Sequence, residues 1–229
     1  MTDLRPGSEI ADGVHWLHDT YVNMYLVEHD QDLILIDTGI NKKAKKVFKY
    51  IREELESRKI SNIFLTHHHV DHTRGLHSLH DEFHSRIFVS KEDSDIINGT
   101  RKAPLPNNIL LKPIFYLARG LVRMKPVTRL EIVSDRETVS DFSIHHLPGH
   151  TLGSLGFFKS NVFFSGDAAA TTKKGEVQLG PKIVTESMDY AIASLKKIAK
   201  LKFDILLPGH GPPILHDASD RVIDASSKF

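Results

Sequence analysis

The chain repeats one local pattern, a short apolar run that leads directly into a polar turn. Apolar runs of this length are typical of buried β-strands, and the turns that end them can bring side chains to a common rim. Two packed sheets with helices on their outer faces would bury this many apolar strands. The sequence therefore predicts an α/β fold with a polar rim, where binding sites usually lie. The pattern occurs in LILIDTG (33–39), IFLTHHH (63–69), HHLPGHT (145–151), VFFSGDA (162–168) and ILLPGHG (205–211).

The composition agrees with a folded domain and excludes several kinds of site. Of the 229 residues, 40% are hydrophobic and 26% are charged, which allows a sizeable core. The absence of cysteine excludes disulfides, thiolate metal ligands and cysteine nucleophiles. A formal net charge of +1 gives no reason to expect nucleic acid as a partner. Because the N-terminal segment has no apolar signal core and no run is long enough to span a membrane, a cytoplasmic location is predicted.

Hydrophobic periodicity predicts the order of the elements. Asn41 is predicted to cap a helix with Ala44, Val47 and Ile51 on its buried face, and Ser187 to cap a helix that begins at Met188. A further helix is predicted from Arg74 to Phe83. The predicted strands are Val22 to Glu28, Leu33 to Asp37, Ile63 to Leu65, Arg86 to Val89, Thr138 to His146, Ser154 to Phe158, Val162 to Ser165 and Ile205 to Leu207.

Residues 98–130 interrupt this order and are interpreted as an insertion over the core of a single domain that spans residues 1–229. The stretch 101–130 contains seven lysine or arginine residues, four prolines and no acidic residue, and its centre is apolar and helical in pattern. Such a segment suits a lid over an anionic, amphiphilic small-molecule substrate. A homodimer interface, a plain surface excursion and contact with a membrane surface are the alternatives.

The segment THHHVDH (66–72) is the strongest chemical signal in the chain. In an extended backbone His67 and His69 point to the same side, while His68 points away. Asp71 and His72 follow where the chain turns towards a helix, so they approach from another direction. Neutral imidazole suits zinc or iron, and a carboxylate adds the charge that holds a dication. The segment therefore predicts two metal positions, one with two imidazoles and one with a carboxylate and an imidazole.

The other polar turns supply the remaining ligands. His150 and His210 each follow a Pro-Gly pair, and Asp167 ends the run VFFSGD. Shared between two ions, the set leaves room for water at the open position that a catalytic site needs. The predicted ligands are His67, His69 and His150 for one ion, Asp71, His72 and His210 for the other, and Asp167 between them.

The series H-x-H-x-D-H at 67–72, followed by a histidine at 150, an aspartate at 167 and a histidine at 210, resembles the metallo-β-lactamase superfamily. It is most similar to the glyoxalase II-like branch, and the resemblance runs from about Val14 to Gly211 outside the insertion. It implies a four-layer αββα sandwich with a dinuclear site at one edge. It also implies that Asp37 of LILIDTG lies near the metals as a partner of their ligands.

The activity implied by the resemblance is metal-dependent hydrolysis. Two divalent ions are expected, zinc before iron or manganese. Two dications about 3.5–4 Å apart lower the pKa of a bridging water towards about 7, which gives a hydroxide for attack on an ester, thioester or lactone. Asp71 and Asp167 are the candidate catalytic carboxylates, because either lies where it could carry the proton.

Departures from known branches narrow the expected substrate. Only 19 residues follow His210, whereas hydroxyacylglutathione hydrolases carry a helical C-terminal region that grips glutathione. The β-lactamases proper generally lack an aspartate at the position of Asp167, which argues against antibiotic hydrolysis. Acyl-homoserine lactonases resemble this set more closely but place a tyrosine shortly after the bridging aspartate, and here residues 168–172 read AAATT.

Two other activities stay open on the sequence. Persulfide dioxygenases have a similar motif around one iron, held by two histidines and an aspartate, and they oxidise a thiol with oxygen. Nucleases of the superfamily cleave phosphodiesters, although the exosite arm or inserted domain that they add is not evident here. Metal content with oxygen consumption tests the first activity, and salt-sensitive RNA binding tests the second.

Overall fold

A computed structural model describes residues 5–105, 112–113, 116 and 125–229. Its strands are β1 (Ser8–Ala11), β2 (Val14–Asp19), β3 (Val22–His29), β4 (Asp32–Ile36), β5 (Ile60–Phe64), β6 (Arg86–Val89), β7 (Glu131–Ile132), β8 (Thr138–Val139), β9 (Phe142–His146), β10 (Leu155–Lys159), β11 (Val162–Gly166), β12 (Ala170–Thr171), β13 (Val177–Gln178) and β14 (Ile205–Pro208). Its helices are α1 (Lys45–Glu54), α2 (Val70–Thr73), α3 (Leu76–Phe83), α4 (Lys91–Ile97), α5 (Met188–Ile198) and α6 (Ala218–Ser226), with a 3₁₀ helix at Lys182–Val184. Among the described helices, none is long and apolar enough to cross a bilayer.

Strands β1 to β11 and β14 form two sheets. In the first sheet β1 to β7 lie side by side in chain order, antiparallel from β1 to β4 and parallel from β4 to β7. The order in the second sheet is β14-β11-β10-β9-β8, in which only β14 and β11 are parallel. Strands β12 and β13 pair separately. In each sheet, therefore, the carboxyl ends of the parallel neighbours lie at the same edge.

Alternation along the strands divides the core into three clusters. In β4, Leu33 and Leu35 join the cluster beneath α1 and α3, whereas Ile34 and Ile36 join the cluster between the sheets. Successive side chains of a strand point to opposite faces, so one strand serves both clusters. A third cluster packs Phe163 of the second sheet against α5 and α6. The order is helix, sheet, sheet, helix, which confirms the predicted four-layer αββα sandwich.

Aromatic rings fill the space between the two sheets. The ring of Phe64 in β5 lies 5.0 Å from that of Phe88 and 5.2 Å from those of Phe142 and Phe157. All four side chains are buried, and Phe64 is wholly inaccessible to solvent. Because β5 continues directly into THHHVDH, this packing also fixes the start of the histidine segment.

The predicted cap of the first helix is wrong. Helix α1 begins at Lys45, and the side chain of Asn41 instead accepts a hydrogen bond from Lys43 N at 3.0 Å, before the helix starts. Ala44 stands at the cap position in a left-handed conformation, and no side chain caps this helix. The predicted apolar face is correct, since Val47 and Ile51 are buried.

Two other predicted boundaries also differ. The strand predicted from Thr138 to His146 is two strands, because Ser140 and Asp141 adopt left-handed φ angles of 47° and 66°. Two such residues between strands form the tight turn that hairpins prefer. The helix predicted from Arg74 begins at Leu76, after the separate turn α2.

Five strands (β1, β2, β7, β12 and β13) and two helices (α4 and α6) were not predicted from the sequence. Strand β2 (VHWLHD) shows no clear polar alternation because nearly all of it is buried, and its polar side chains have partners within the fold. For example, His15 lies 3.1 Å from both the Tyr50 hydroxyl and a Glu28 carboxylate oxygen. Helix α6 buries mainly small residues, so its apolar face is weak in the sequence.

The insertion at 98–130 is described at its two ends, 98–105 and 125–130, and at residues 112–113 and 116. Helix α4 ends at Ile97, and Val127 is buried in the first cluster with its N–H donated to Ile97 O at 3.4 Å. The apolar centre predicted for this segment lies mostly outside the described residues. Its roles as lid or dimer interface, and the single-domain organisation, stay predictions.

Candidate metal centre

Polar turns from both sheets meet at one edge of the sandwich. The turn after β5 is joined to the second sheet by a hydrogen bond from Leu155 N to Thr66 O at 2.7 Å, and the turns after β11 and β14 are joined by one from Gly209 N to Gly166 O at 2.8 Å. These turns carry the predicted ligands: His67 and His69 after β5, Asp71 and His72 in α2, His150 between β9 and β10, Asp167 after β11 and His210 after β14.

Two glycines allow the turns to approach this closely. Gly166 has a φ of 50°, and a Cβ at this position would lie 2.6 Å from Thr66 Cβ. At Gly209 a Cβ would lie 2.4 Å from Asp167 Oδ1 and 2.7 Å from His72 Cε1. Any side chain at these positions would therefore displace the residues that form the site.

His67, His69 and His150 form the first donor group. Their donor atoms all lie within 4.8 Å of one another. His69 Nδ1 is 3.0 Å from His150 Nε2, so nitrogens of the two rings face each other. His67 and His150 are 2% exposed, and His69 is partly buried. This arrangement of three converging imidazole nitrogens is the set predicted for one ion.

Asp71, His72 and His210 form the second donor group. Their donor atoms also lie within 4.8 Å of one another. His210 Nε2 is 3.3 Å from His72 Nε2 and 3.4 Å from Asp71 Oδ2. His72 is fully buried, while Asp71 and His210 are partly exposed. Two of the three residues in the second group are thus partly exposed, against one of three in the first.

Asp167 lies between the two groups. Its Oδ2 is 3.2 Å from His150 Nε2 of the first group and 3.3 Å from His210 Nε2 of the second. Its Oδ1 is 3.5 Å from His72 Nε2, and a third donor set of His67, His72 and Asp167 overlaps both groups. The structure therefore brings all seven predicted residues together, with Asp167 in the central position.

The outer ring nitrogens of the histidines contact groups that orient the rings. His150 Nδ1 is 3.2 Å from Thr185 Oγ1, and His210 Nδ1 is 2.8 Å from the carbonyl oxygen of Tyr21. Since that carbonyl can only accept, His210 carries its proton on Nδ1 and directs a free Nε2 into the site when neutral. His67 Nδ1 is 3.0 Å from Thr66 Oγ1. Such outer contacts fix tautomer and orientation in metal sites.

Asp37 lies where the resemblance implied, beside a predicted ligand. Its Oδ2 is 2.7 Å from His72 Nδ1 and accepts a hydrogen bond from Thr66 Oγ1 at 2.7 Å, while its Oδ1 accepts one from Thr66 N at 2.8 Å. Asp37 has a φ of 59°, unusual for a residue with a side chain. These bonds hold Asp37 in its strained conformation and also orient the ring of His72.

The first group favours neutral imidazoles. Burial, with the neighbouring His72 and His69, holds the pKa of His67 well below its usual value. Burial and the adjacent His150 lower the pKa of His69 in the same way, and burial lowers the pKa of His150 despite the nearby Asp167. Neutral imidazole is the form that binds a metal, so these three side chains are ready for one at neutral pH.

The second group is charged in the metal-free protein. Burial lowers the pKa of His72, but Asp37, Asp167 and Asp71 outweigh it and raise that pKa to about 9. Burial also opposes the charge on His210, yet its bonds to Asp167 and Asp71 raise its pKa to about 11. Burial opposes ionisation of Asp71, but His72 and His210 lower its pKa to about 2. Without a metal, protons supply the positive charge that the carboxylates need.

The donor set fits divalent cations. His67 Nε2 and Asp167 Oδ1 are buried and have no hydrogen-bond partner within the described residues. A buried polar atom left unpaired is costly, and here both atoms belong to the converging groups. Five imidazoles and two carboxylates match the ligand preferences of zinc and iron, and cysteine is absent. A bound cation would satisfy the unpaired atoms and replace the protons on His72 and His210.

Metal binding is therefore expected to release protons. At pH 7 His72 and His210 are protonated in the metal-free protein, because their pKa values lie at about 9 and about 11. A metal binds only the neutral ring, so affinity for Zn²⁺ should fall about tenfold per pH unit for each proton displaced as the pH is lowered. Calorimetry of Zn²⁺ binding in buffers of different ionisation enthalpy measures the protons released. Proton-neutral binding with a pH-independent affinity would contradict this expectation.

Several residues at the site were missed from the sequence. Tyr21, 50% exposed at the turn between β2 and β3, stacks on His210 with ring centroids 5.6 Å apart. Asn23 bonds through Nδ2 to Pro208 O at 2.9 Å and to Gly211 O at 2.7 Å, which supports the turn that carries His210. Thr185 and Asp93 contact ligand segments from distant parts of the chain. No motif marks these residues, since their roles depend on contacts across the fold.

The histidines that are not among the seven predicted ligands have other surroundings. His77 and His80 are half-buried: His77 Nε2 lies 3.0 Å from Asp81 Oδ2, and His80 Nδ1 lies 3.0 Å from Ser85 O. His145 packs against Phe163 in the second sheet. Within the described part of the chain, none of these histidines joins a donor group.

This fold and this donor set define a metal-dependent hydrolase. The family model described as the Metallo-beta-lactamase superfamily matches residues 18–210, and the chain belongs to that superfamily. Among similar proteins, YobT of Bacillus subtilis is 26% identical, with 90% of each chain covered. The probable metallo-hydrolase YflN of the same organism is 25% identical, with 93% of this chain and 90% of YflN covered.

A hydroxyacylglutathione hydrolase of Nitrosomonas eutropha is 27% identical over 82% of this chain, which spans 59% of that relative. Solved structures agree on the fold. TTHA1623 in a di-iron-bound form has a TM-score of 0.73 at 22% identity, with 94% of this chain and 99% of that chain covered. ST1585 from Sulfolobus tokodaii has a TM-score of 0.71 at 17% identity, with 94% and 85% covered. The family model confirms the superfamily that the sequence pattern implied, and the solved structures confirm the fold.

Proposed function

We propose that the chain holds two divalent ions and hydrolyses an ester, thioester or lactone. The observation that carries this proposal is the position of Asp167, whose Oδ2 lies 3.2 Å and 3.3 Å from imidazole nitrogens of two separate donor groups. A carboxylate between two groups of this kind suits a pair of ions that share it. His67, His69 and His150 would hold one ion, and Asp71, His72 and His210 the other. Zinc is the proposed metal, with iron and manganese as alternatives.

Two dications, if bound, would lower the pKa of a water molecule and polarise the attacked oxygen of the substrate. The protein's own contribution is to hold its donors in place before the substrate arrives. Asp37 and Thr185 contact the outer nitrogens of His72 and His150, so each ring directs its other nitrogen inwards. Asp71 is the more accessible of the two proposed catalytic carboxylates, with 17% of its side chain exposed against 3% for Asp167. Asp71 is therefore the better placed to pass a proton to solvent, and Asp167 the better placed to orient ligands.

Apolar side chains that accompany the ligand turns support a substrate with an apolar group. Tyr21 stacks on His210 and is half exposed. Leu152 follows His150 by two residues and is 46% exposed, and Ile183, two residues before Thr185, is 48% exposed. The hydroxyacylglutathione hydrolases among the relatives act on an acyl thioester by name, which also favours acyl esters and thioesters. The basic insertion would suit an anionic group on the same molecule.

A substrate panel tests the proposed reaction. Purified protein is offered esters, thioesters, lactones and phosphodiesters with short and long acyl groups, and oxygen uptake is followed in parallel with a thiol persulfide. We expect cleavage of an acyl ester or thioester, loss of activity after chelation, and recovery with Zn²⁺. Oxygen consumption with one iron per chain would instead indicate a persulfide dioxygenase-like oxidoreductase. Cleavage of phosphodiesters alone would indicate a nuclease.

A further inference from the structure

A buried carboxylate outside the seven proposed ligands lies beside the first donor group. Asp93, in the first turn of α4, is 2% exposed and belongs to none of the donor groups found among the described residues. A buried carboxylate is costly unless its oxygens accept hydrogen bonds. The contacts of Asp93 run to two segments that each carry proposed metal ligands.

One oxygen of Asp93 joins those two segments. Its Oδ2 accepts a hydrogen bond from the backbone N–H of His68 at 2.9 Å and another from the hydroxyl of Thr151 at 2.9 Å. Its Oδ1 lies 3.0 Å from His68 Nδ1. His68 stands between His67 and His69, and Thr151 directly follows His150. Each histidine of the first group is therefore next in sequence to His68 or Thr151, and both of these residues bond to the carboxylate of Asp93.

Asp93 is itself held firmly. Ser90 caps α4 by accepting a hydrogen bond from Asp93 N at 3.3 Å, and Ser154 Oγ accepts one from Thr151 N at 2.9 Å. A Cβ at Gly153 would lie 2.3 Å from Ser90 Oγ and 2.5 Å from Asp93 Cγ, so no larger residue fits there. Asp93, Ser90, Thr151 and Ser154 are each at most 3% exposed. A closed network of this kind can position neighbouring groups but offers no space to a substrate.

We propose that Asp93 is a positioning residue that sets the spacing of His69 and His150, and with it the metal affinity of the first donor group. This inference rests on the proposed function, because it takes those imidazoles as metal ligands. His72 and His210 of the second group have other supports, the contact of Asp37 with His72 and the bonds from Asn23 to Pro208 and Gly211. Loss of Asp93 should therefore weaken one metal position and leave the other nearly unchanged.

Three substitutions distinguish the loss of the Asp93 hydrogen bonds from the loss of side-chain volume. Asp93→Ala removes both bonds to Oδ2. Asp93→Asn can retain both, since both end on one oxygen, and its amide nitrogen would then face His68 Nδ1. Thr151→Val keeps the shape of the side chain and removes the link from Asp93 to the His150 segment, together with the 3.1 Å contact between Thr151 Oγ1 and Ser154 Oγ. Asp95→Asn, on the exposed side of the same helix, is the matched control.

The test is a titration of metal-free protein with Co²⁺, followed by visible absorption. His150→Ala and His210→Ala identify which binding step belongs to which group. One Co²⁺-binding step is lost in His150→Ala. We expect Asp93→Ala and Thr151→Val to lower the Co²⁺ affinity of that step by about 10- to 100-fold, the usual effect of removing a group that orients a metal ligand. The other step should stay within about threefold of wild type, as should both steps in Asp93→Asn and Asp95→Asn.

Two results would overturn the inference while the proposed function stands. One is wild-type Co²⁺ affinity at both steps in Asp93→Ala and Thr151→Val. The other is equal weakening of both steps together with a lower melting temperature of the metal-free protein, which indicates general loss of structure. If Asp93→Ala does not fold, Thr151→Val decides by the same criteria. Wild-type protein that binds no Co²⁺ would instead contradict the proposed function itself.

Discussion

Substituting Asp167 with alanine should abolish turnover and reduce the bound metal from the two proposed ions to one or none. The reason is its central position, because its carboxylate lies 3.2–3.5 Å from imidazole nitrogens of both donor groups. Without it, two dications would face each other across five imidazoles with one carboxylate remaining to offset their charge. The measurements are elemental analysis of the purified variant and its rate with the ester or thioester that the wild-type protein cleaves.

The control for Asp167→Ala is Asp224→Ala, which removes an exposed carboxylate from α6. The control should keep wild-type metal content and rate. Thermal melting of metal-free Asp167→Ala protein shows whether the variant still folds. A folded Asp167→Ala protein that retains two ions and full activity would show that the donor groups are not joined through this residue.

Substituting Phe64 with alanine should give the largest loss of stability, about 3–5 kcal/mol in the free energy of unfolding. The side chain is fully buried between the sheets and lies within 5.2 Å, centroid to centroid, of three other phenylalanine rings. Its removal leaves a cavity that the surrounding strands of two sheets cannot close. Domains are commonly stable by only about 5–15 kcal/mol, so the variant should be close to unfolding at 37 °C. Urea unfolding of the metal-free protein measures the change.

Phe64→Leu and Phe229→Ala are the comparison variants. Leucine keeps much of the buried volume and should cost clearly less than alanine at this position. Phe229 is 54% exposed at the end of the chain, and its loss should change the free energy of unfolding by no more than about 0.5 kcal/mol. If Phe64→Ala cost under about 1 kcal/mol, the packing of the two sheets around this ring would be wrong.

The sequence predicted the layers and the proposed ligands because both depend on local patterns. In runs such as LILIDTG, apolar side chains point alternately to the two faces of a sheet. Both faces must then be covered, which requires a layer on each side of the sheet. The spacing of His67, His69, Asp71 and His72 places four donors on one short segment, and the glycine-bearing turns indicated the others. Periodicity and turn chemistry are properties of neighbouring residues, so they are readable without a structure.

The groups that hold the ligands could not be predicted in this way. Asp93 contacts Thr151 across 58 positions, and Asn23 contacts Pro208 across 185, so no window of sequence contains either pair. The cap predicted at Asn41 failed for a different, local reason, because an asparagine side chain can close a turn before a helix as readily as it can cap one. Strand β2 was missed because its buried polar side chains find partners only after folding.

The most direct test of the central claim is the number of metal ions per chain in protein purified without added metal or chelator. Elemental analysis of wild-type protein, His150→Ala and His210→Ala gives this number for the whole site and for each donor group with one ligand removed. We expect two ions in the wild-type protein and one ion fewer in each variant. One ion or none in the wild-type protein, or unchanged metal content in both variants, would contradict it.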